Sequence, residues 1–369
     1  MDDIQAKIIE LEEELTKTKY NKRTQHHIGL VKAKIAKLKE SQVSRSRGKG
    51  KTTGYSVKKT GDATAVLVGF PSVGKSTLIN QLTSAESKTA EYAFTTLEVI
   101  PGMLVHKHAS IQLLDVPGLV SGAADGTGRG KEVIAVVRTA DLAIFVIDVR
   151  VPHELLALAT ELQAAGLRLD DSPPKVRVIN KERGGISIID IVPQELDQGT
   201  ILAILRENKV NNAEVRLGEE LSIDRLIDGI LGNRVYLPSL VALNKIDLAD
   251  KKVQDAAVKY IRSVLPRTRI VPVSASVGSN LPAIRDAIYE QLNFYRIYLK
   301  EIGKKPDMDE PLIIRHQPSI EETCRKIHKD FLAKFRFARV WGRSAKFPGQ
   351  KFLLKHLLAD GDILEVHLR

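Results

Sequence analysis

Residues 65–82 read AVLVGFPSVGKSTLINQL, and this stretch decides the fold. Ala65-Val66-Leu67-Val68 is a short apolar run of β type that ends in glycine. Gly69-Phe70-Pro71-Ser72-Val73-Gly74-Lys75-Ser76 follows, and residues 76–82 are patterned as a helix. The spacing G-x-x-x-x-G-K-[ST], set between a strand and a helix, is that of a loop that cradles phosphates. Gly69 and Gly74 let the backbone bend so that its N–H groups face an anion, and the helix N-terminus adds a favourable dipole. Lys75 can reach the β and γ phosphates of a nucleotide, and the Ser76 hydroxyl can bind Mg2+. Phe70, Pro71, Ser72, Val73 and Thr77 complete the expected contact stretch.

Outward from this loop, apolar runs recur at 111–114, 142–147, 240–243 and 270–273, with helical stretches between most of them. Buried parallel strands alternating with crossover helices produce this rhythm, so an α/β domain with a parallel-sheet core is expected over 61–292. The spacing is interrupted once. After a helical stretch at 153–165, some 65 residues precede the next core strand, too many for a structureless loop. They carry alternating runs (176–179, 186–191) and helical stretches (200–207, 223–231), and so read as an inserted α/β subdomain over 170–235, with Gly184-Gly185 as a hairpin turn.

The ends of these strands carry the remaining chemistry. Phe94, Thr95 and Thr96 lie in a polar stretch where a threonine hydroxyl can complete a Mg2+ shell and sense a γ-phosphate. Asp115-Val116-Pro117-Gly118 directly follows the run 111–114. Asp115 can hold a water on the metal, and the Gly118 N–H can meet the γ-phosphate. Asn244-Lys245-Ile246-Asp247 closes the run 240–243 and selects the base. The Asp247 carboxylate can accept N1–H and the exocyclic amine of guanine. Adenine offers neither donor there, and an unpaired buried carboxylate gives about 10⁴-fold rejection. Asn244 is expected to brace the loops and the Lys245 stem to cover the base. In Ser274-Ala275-Ser276 the Ala275 N–H is expected to meet the guanine carbonyl. The ligand is therefore GTP or GDP. An ATPase is disfavoured by Asp247.

Hydrolysis is less legible. Lys75, Thr96 and Gly118 are the groups expected to act on the γ-phosphate. Leu119 stands where many GTPases carry a water-orienting glutamine, so intrinsic turnover is expected to be slow. The glycine-rich stretch 121–131 (SGAADGTGRGK) contains Arg129, a weaker candidate for a charge-stabilising finger. GTP would order the Thr96 and Gly118 segments, and hydrolysis would release them and reposition the terminal modules. A nucleotide-gated scaffold with little turnover is the alternative that Leu119 keeps open.

Those terminal modules are basic. The chain has 369 residues and a formal net charge of +11, but residues 1–60 hold 15 Lys/Arg against 7 Asp/Glu, 61–292 hold 25 against 28, and 293–369 hold 16 against 10. Basic ends on a near-neutral body suit a polyanionic partner such as ribosomal or transfer RNA. In 1–60, Ile4, Ile8, Leu11 and Leu15, then Ile28, Val31, Ile35 and Leu38, form two stripes that can close as a helical hairpin, followed by a basic linker over 41–51. Residues 293–369 suggest a strand (312–315), a helix (319–333) and two more strands (338–341, 363–368), a mixed sheet with one main helix in the β-grasp manner. No stretch reaches eighteen consecutive apolar residues, so no membrane partner is expected. Absence of a signal-like start and a single cysteine, Cys324, point to the cytoplasm and exclude an internal disulfide.

Taken together these motifs resemble the developmentally regulated GTP-binding proteins, an Obg-related branch of the translation-factor-class GTPases, and resemble their archaeal members in particular. The resemblance runs the whole length, through GFPSVGKSTLIN (69–80), EYAFTT (91–96), IQLLDVPGL (111–119), DGTGRGKEVIAVVRTAD (125–141), GNRVY (232–236), LNKID (243–247), KIHKDF (326–331), VWGRSAK (340–346) and DGDILEV (361–367). It implies a basic N-terminal helical region, a GTPase domain with a ribosomal-protein-like insertion, and a C-terminal TGS domain. It also implies that Thr96, rather than Thr95, is the Mg2+ ligand, and that a hydrophobic residue replaces the glutamine, as Leu119 does. The resemblance also makes K+ a candidate cofactor, but potassium-stimulated relatives often carry asparagine where this loop has Ser72, so that residue does not support it. Eukaryotic members have a stabilising zinc-finger partner, which makes a protein activator a candidate partner.

Overall fold

The computed structural model describes residues 3–46, 60–83, 90–91, 98–116 and 130–369. The chain forms two compact units, one drawn from Met1–Gly54 and Asp171–Tyr236, the other from Tyr55–Asp170 and Leu237–Arg369.

The larger unit is built on a seven-stranded sheet in the order Arg269–Pro272, Ser239–Asn244, Leu142–Asp148, Ala63–Val68, Ala109–Asp115, Glu98–His106, Ala90–Glu91. The first five strands run parallel, and Glu98–His106 turns back antiparallel on Ala109–Asp115. All six residues of Ala63–Val68 and all seven of Leu142–Asp148 are buried, as strands covered on both faces must be. Their side chains alternate between two cores. Val66, Val68, Phe145 and Ile147 meet the helices Gly130–Thr139, Glu154–Ala164 and Lys251–Val264. Ala65, Leu67, Ile144 and Val146 meet Lys75–Leu82 and Leu281–Gln291. The register pairs Leu67 with Asp115 and Asn244 with Asp148, so the loops that follow these strands open at one end of the sheet. In such sheets that end is where ligands bind.

A five-stranded sheet completes this unit, in the order Leu312–Arg315, Phe294–Leu299, Ile363–Leu368, Phe335–Trp341, Gln350–Phe352. Its core of Ile297, Ala338, Val340 and Leu364 is closed by Ile320 and Cys324 of the helix Ile320–Ile327. A capping box starts that helix: Ser319 Oγ accepts the Glu322 N–H (3.2 Å) and Glu322 Oε2 accepts the Ser319 N–H (2.8 Å). The expected single helix over 319–333 is broken at His328, whose extended backbone ends Ile320–Ile327 and whose Nδ1 caps Lys329–Ala333 by accepting the Asp330 N–H. The two sheets are joined in one body. Phe294 and Ile313 enter the same core as Ile288 and Leu292. Arg315 pairs with Asp141 at 2.7 Å and Lys326 with Asp62 at 3.0 Å, at the N-terminal ends of Leu142–Asp148 and Ala63–Val68.

In the smaller unit, Asp3–Lys17 and Gln25–Ser46 form a helical hairpin that buries Ile8, Val31 and Ile35 between them. Asn21 Oδ1 accepts the Arg23 and Thr24 N–H groups to turn the chain. The second helix reaches Ser46, so the first part of the expected 41–51 linker is helical. Ile28 and Ala33 on its other side join Ile201, Ile204, Leu226 and Ile227 of the insertion in one core. Gly29 permits this approach: a Cβ there would stand 3.0 Å from Thr200 Cγ2 and 3.2 Å from Ile204 Cδ1.

The insertion's sheet has the order Val176–Asn180, Ala213–Leu217, Ile186–Asp190. Gly184-Gly185 therefore joins two strands that do not pair, and the hairpin expected there is corrected. Ala213–Leu217 enters between them because its alternating Ala213, Val215 and Leu217 are the residues that bury. Among the described residues, no helix is long and apolar enough to cross a membrane.

Ile204 is fully buried against the second helix. Ile204→Ala should cost about 2–5 kcal/mol, read as a lowered thermal midpoint and faster proteolysis within residues 1–54 and 171–236. An unchanged midpoint would deny that this core holds the unit together.

Candidate functional site

The phosphate loop leaves the buried strand Ala63–Val68 at Gly69, where a Cβ would lie 2.5 Å from the Val146 carbonyl oxygen. Two residues of the loop adopt left-handed backbone, Ser72 (φ 62°) and Gly74 (φ 96°). A Cβ on Gly74 would lie 2.4 Å from Asn244 Nδ2, so glycine is required there on two counts. Val73 is buried and anchors the loop, while Pro71, Ser72, Ser76 and Thr77 remain exposed.

Lys75 is buried within this loop and donates to the carbonyl oxygens of Gly69 (2.9 Å) and Phe70 (3.1 Å). Burial pushes its ammonium below the usual lysine pKa, and the Asp115 charge opposes that fall. Ser76 Oγ donates to Asp115 Oδ2 at 2.6 Å. The second carboxylate oxygen, Oδ1, is buried with no hydrogen-bond partner among the described residues. Val116 is buried beside it.

Asn244, only 2% exposed, ties two loops together. Its Nδ2 donates to the Val73 carbonyl (2.8 Å) and its Oδ1 accepts the Ala275 N–H (2.9 Å). The Ala275 N–H, expected to meet the guanine carbonyl, is thus spent inside the protein. A buried amide must find a partner, and the Asn244 carboxamide is the one in reach. Ser274 and Ser276 hydroxyls lie 3.1 Å apart, and Ser274 Oγ accepts the Val277 N–H. Asp247 is exposed on the turn Ile246–Leu248, so burial of its carboxylate would have to come from a ligand.

Sequence reasoning passed over Asp148. It ends the strand Leu142–Asp148 with 4% exposure, accepts Arg150 through Nε (3.0 Å) and Nη2 (2.6 Å), and pairs with Lys245 Nζ at 3.0 Å. Arg150 first, then Lys245, hold its carboxyl well below the ordinary aspartate range. Lys245, in left-handed backbone, also donates to the Ser72 carbonyl at 2.7 Å. Asp148 thereby orients the lysine expected to cover the base. The signal was an acid closing a wholly apolar run, LAIFVID. Lys107 and His108 form a left-handed turn after the strand Glu98–His106, and His106 Nε2 meets Asp286 Oδ1 at 2.9 Å. Phe94, Thr95, Thr96, Pro117, Gly118, Leu119 and Arg129 lie outside the described residues.

A phosphate loop between a buried strand and helix, with Asp115 and the 244–247 loop at the same sheet end and a β-grasp sheet behind, defines a P-loop GTPase with a TGS domain. Comparison agrees part by part. Residues 64–181 match the family described as 50S ribosome-binding GTPase, 183–294 the C-terminal region of that domain, and 295–368 the TGS domain. The chain is 51% identical over 369 residues to a GTP-binding protein of Methanocaldococcus jannaschii, covering 99% of this chain and 93% of that one. It is 44% identical to a GTP-binding protein of Halobacterium salinarum, with 99% of both covered. It is 43% identical to the developmentally-regulated GTP-binding protein 1 homolog of Dictyostelium discoideum, with 98% of both covered. The chain belongs to the developmentally regulated GTP-binding protein family.

Asn244→Leu strands the Val73 carbonyl and the Ala275 N–H without partners, at about 1–3 kcal/mol each. A clear fall in the thermal midpoint of the nucleotide-free protein is expected. An unaltered midpoint would mean that the carboxamide does not hold the loops.

Proposed function

We propose that the chain binds GTP with Mg2+ and hydrolyses it to GDP and phosphate, as a slow switch that associates with the ribosome in the cytoplasm. The observation that carries this reading is the Asn244 bridge. One buried carboxamide holds both the loop that contains Lys75 and the loop that ends in Ala275, with Asp247 three residues on.

Each residue's part follows from its surroundings. Lys75, already stripped of water, gives up its contacts with Gly69 and Phe70 for the β and γ phosphates, where a poorly solvated cation attracts anions strongly. Loop N–H groups released by the left-handed turns at Ser72 and Gly74 take the remaining phosphate oxygens. Ser76 and, through water, Asp115 would hold the metal, with Thr96 as the third group. The free Oδ1 of Asp115 and an all-oxygen donor set suit a hard cation. Bound there, Mg2+ neutralises charge on the phosphates. Asp247 accepts two guanine hydrogens as the base covers it, and Lys245, steered by Asp148 and Ser72, lies over the ring. Gly118 and Thr96 close on the γ-phosphate. With Leu119 in place of glutamine, the attacking water is oriented by backbone groups or by a partner, which makes turnover slow.

Asp247→Asn offers the base an amide donor where guanine presents donors. GTP affinity should fall by more than about 10²-fold, and affinity for xanthosine triphosphate, which has a carbonyl in place of the amine, should rise. Competition against labelled GDP reads both. Preferential binding of ATP by the unaltered chain would end the guanine reading. Single-turnover release of phosphate should be slow alone and faster with ribosomes. Release at background level in both conditions would instead establish the nucleotide-gated scaffold that Leu119 allows.

A further inference from the structure

The insertion's three-stranded sheet ends on one side at Ile186–Asp190, which pairs with Ala213–Leu217 and, among the described residues, with no other strand. The register fixes which backbone groups that pairing uses. The Gly185 carbonyl accepts the Ala213 N–H (3.1 Å), and the Ile191 N–H donates to the Leu217 carbonyl (2.9 Å). Alternate residues of a strand bond to any one neighbour, so the backbones of Ser187 and Ile189 also turn toward Ala213–Leu217. Ile186, Ile188 and Asp190 therefore direct their N–H and C=O groups outward, away from the sheet. Six strong hydrogen-bonding groups stand in a row along this edge.

The strand is apolar on both faces. Ile186 and Ile188 pack half-buried against the insertion's core. Ile189, on the opposite face, is 41% exposed, and Ile191, just beyond the strand, is 65% exposed. Edge strands are ordinarily protected from pairing by lysine, proline, a bulge or a covering element. Residues 185–191 (GISIIDI) carry no lysine or proline, and their register with Ala213–Leu217 runs without a bulge. The sheet's other edge, Val176–Asn180, differs. Pro173-Pro174 precede it, Arg177 lies on it, and Val176 packs closely on Gly229 of the helix Ile223–Leu231.

We propose that this edge pairs with the same edge of a second copy of the chain, antiparallel about a two-fold axis at Ile188. An antiparallel pair exchanges bonds at alternate positions, and this register brings Ile188 to Ile188, and Ile186 to Asp190 of the other copy. All six outward groups of each strand are then bonded, and two three-stranded sheets become one of six strands. The side chains suit the same register. On the core side Ile188 meets its own counterpart, which joins the two cores. On the outer face Ile189 lies beside Ser187 of the other copy, and Ile191 falls opposite Gly185, where a Cβ would meet nothing within 4 Å. Asp190, the single charge in 185–191, faces Ile186. A parallel pairing in register would set the two Asp190 side chains against each other, at a cost to stability. A patch that complements itself in this way is what an isologous interface requires. One strand pairing buries little area, so the dimer is weak and depends on concentration.

Sedimentation equilibrium of the full chain tests this, with the weight-average mass expected to rise with concentration toward that of two chains. Asp190→Pro removes one outward N–H per copy, spares the ladder to Ala213–Leu217, and should weaken dimerisation about ten-fold or more. Ile189→Lys places a charge on the edge and should act in the same direction. Val105→Lys changes a residue 65% exposed in the other unit and should leave dimerisation unaltered. Thermal midpoints show whether each variant keeps its fold. The register is read by cysteine chains, which leave the edge backbone intact. Ser187→Cys and Ile189→Cys chains, mixed, should form disulfide dimers far faster than either alone. In the proposed register these positions oppose each other at about 4.5 Å between Cα atoms, within disulfide reach, and the native Cys324 is buried out of the way. A mass that stays at the monomer value up to the solubility limit would overturn the proposal. So would dimers that both folded edge variants leave intact, or cysteine chains that cross-link no faster mixed than alone.

Discussion

A single buried carboxamide constrains the nucleotide end of this molecule. Asn244 must give one hydrogen bond and accept another, to Val73 and from Ala275, in a space that excludes water. Aspartate could not donate, leucine could do neither, and glutamine is a methylene too long for a close-packed site. The constraint spreads from there. Because Asn244 Nδ2 sits where the Cβ of residue 74 would be, that position is glycine. Because Asn244 pairs with Asp148 in register, the carboxylate that steers Lys245 lies beside the strand end that carries it.

The same end of the sheet manages several charges in little water. Among the described residues Lys75 has no ion pair; it is buried and holds to two carbonyls, so its charge is poorly satisfied there. Asp115 is half satisfied, with Oδ2 bonded to Ser76 and Oδ1 bonded to nothing described. Asp148, by contrast, has a full complement from Arg150 and Lys245. Incompletely satisfied groups are costly in a dry interior unless a ligand completes them. The satisfied one is structural, and the two unsatisfied ones are those that the motifs assign to phosphate and metal.

Much of this was legible in the sequence because the relevant features are local. A parallel strand buried on both faces leaves an uninterrupted apolar run, and the loop chemistry follows directly after it, which is why the strands near 63–68, 142–148 and 239–244 could be placed. Elements whose pattern is set by distant partners were missed. Glu98–His106 and Ala213–Leu217 mix charged with apolar residues, and only their neighbours show which face is buried. Phe294–Leu299 (FYRIYL) looks like the tail of the preceding helix until its pairing with Ile363–Leu368 is seen. The Ala275 amide was assigned to a ligand because sequence cannot show that Asn244 reaches it first. Asp148 was overlooked because it acts through Lys245, a partner nearly a hundred residues away.

The attachment of the C-terminal sheet bears on how a switch could work. The reading that hydrolysis repositions both basic modules treats them as mobile appendages, yet the C-terminal one is bound into the GTPase body. Asp141 accepts the Thr64 N–H and also pairs with Arg315; Asp62 accepts the Ser110 N–H and also pairs with Lys326. Each carboxylate thus joins two sheet strands and the C-terminal module, at the end opposite the phosphate loop. Asp141 is 7% exposed at its side chain, so parting it from Arg315 would take an ion-pair partner away from a buried carboxylate, at a cost to stability. Phe294 and Ile313 would also have to leave the shared core. A nucleotide-driven change confined to the loops at the far end of the strands has little leverage on such a joint. The C-terminal surface therefore travels with the sheet as one body, and a switch that alters its contacts must move the whole unit against its partner rather than swing that module alone.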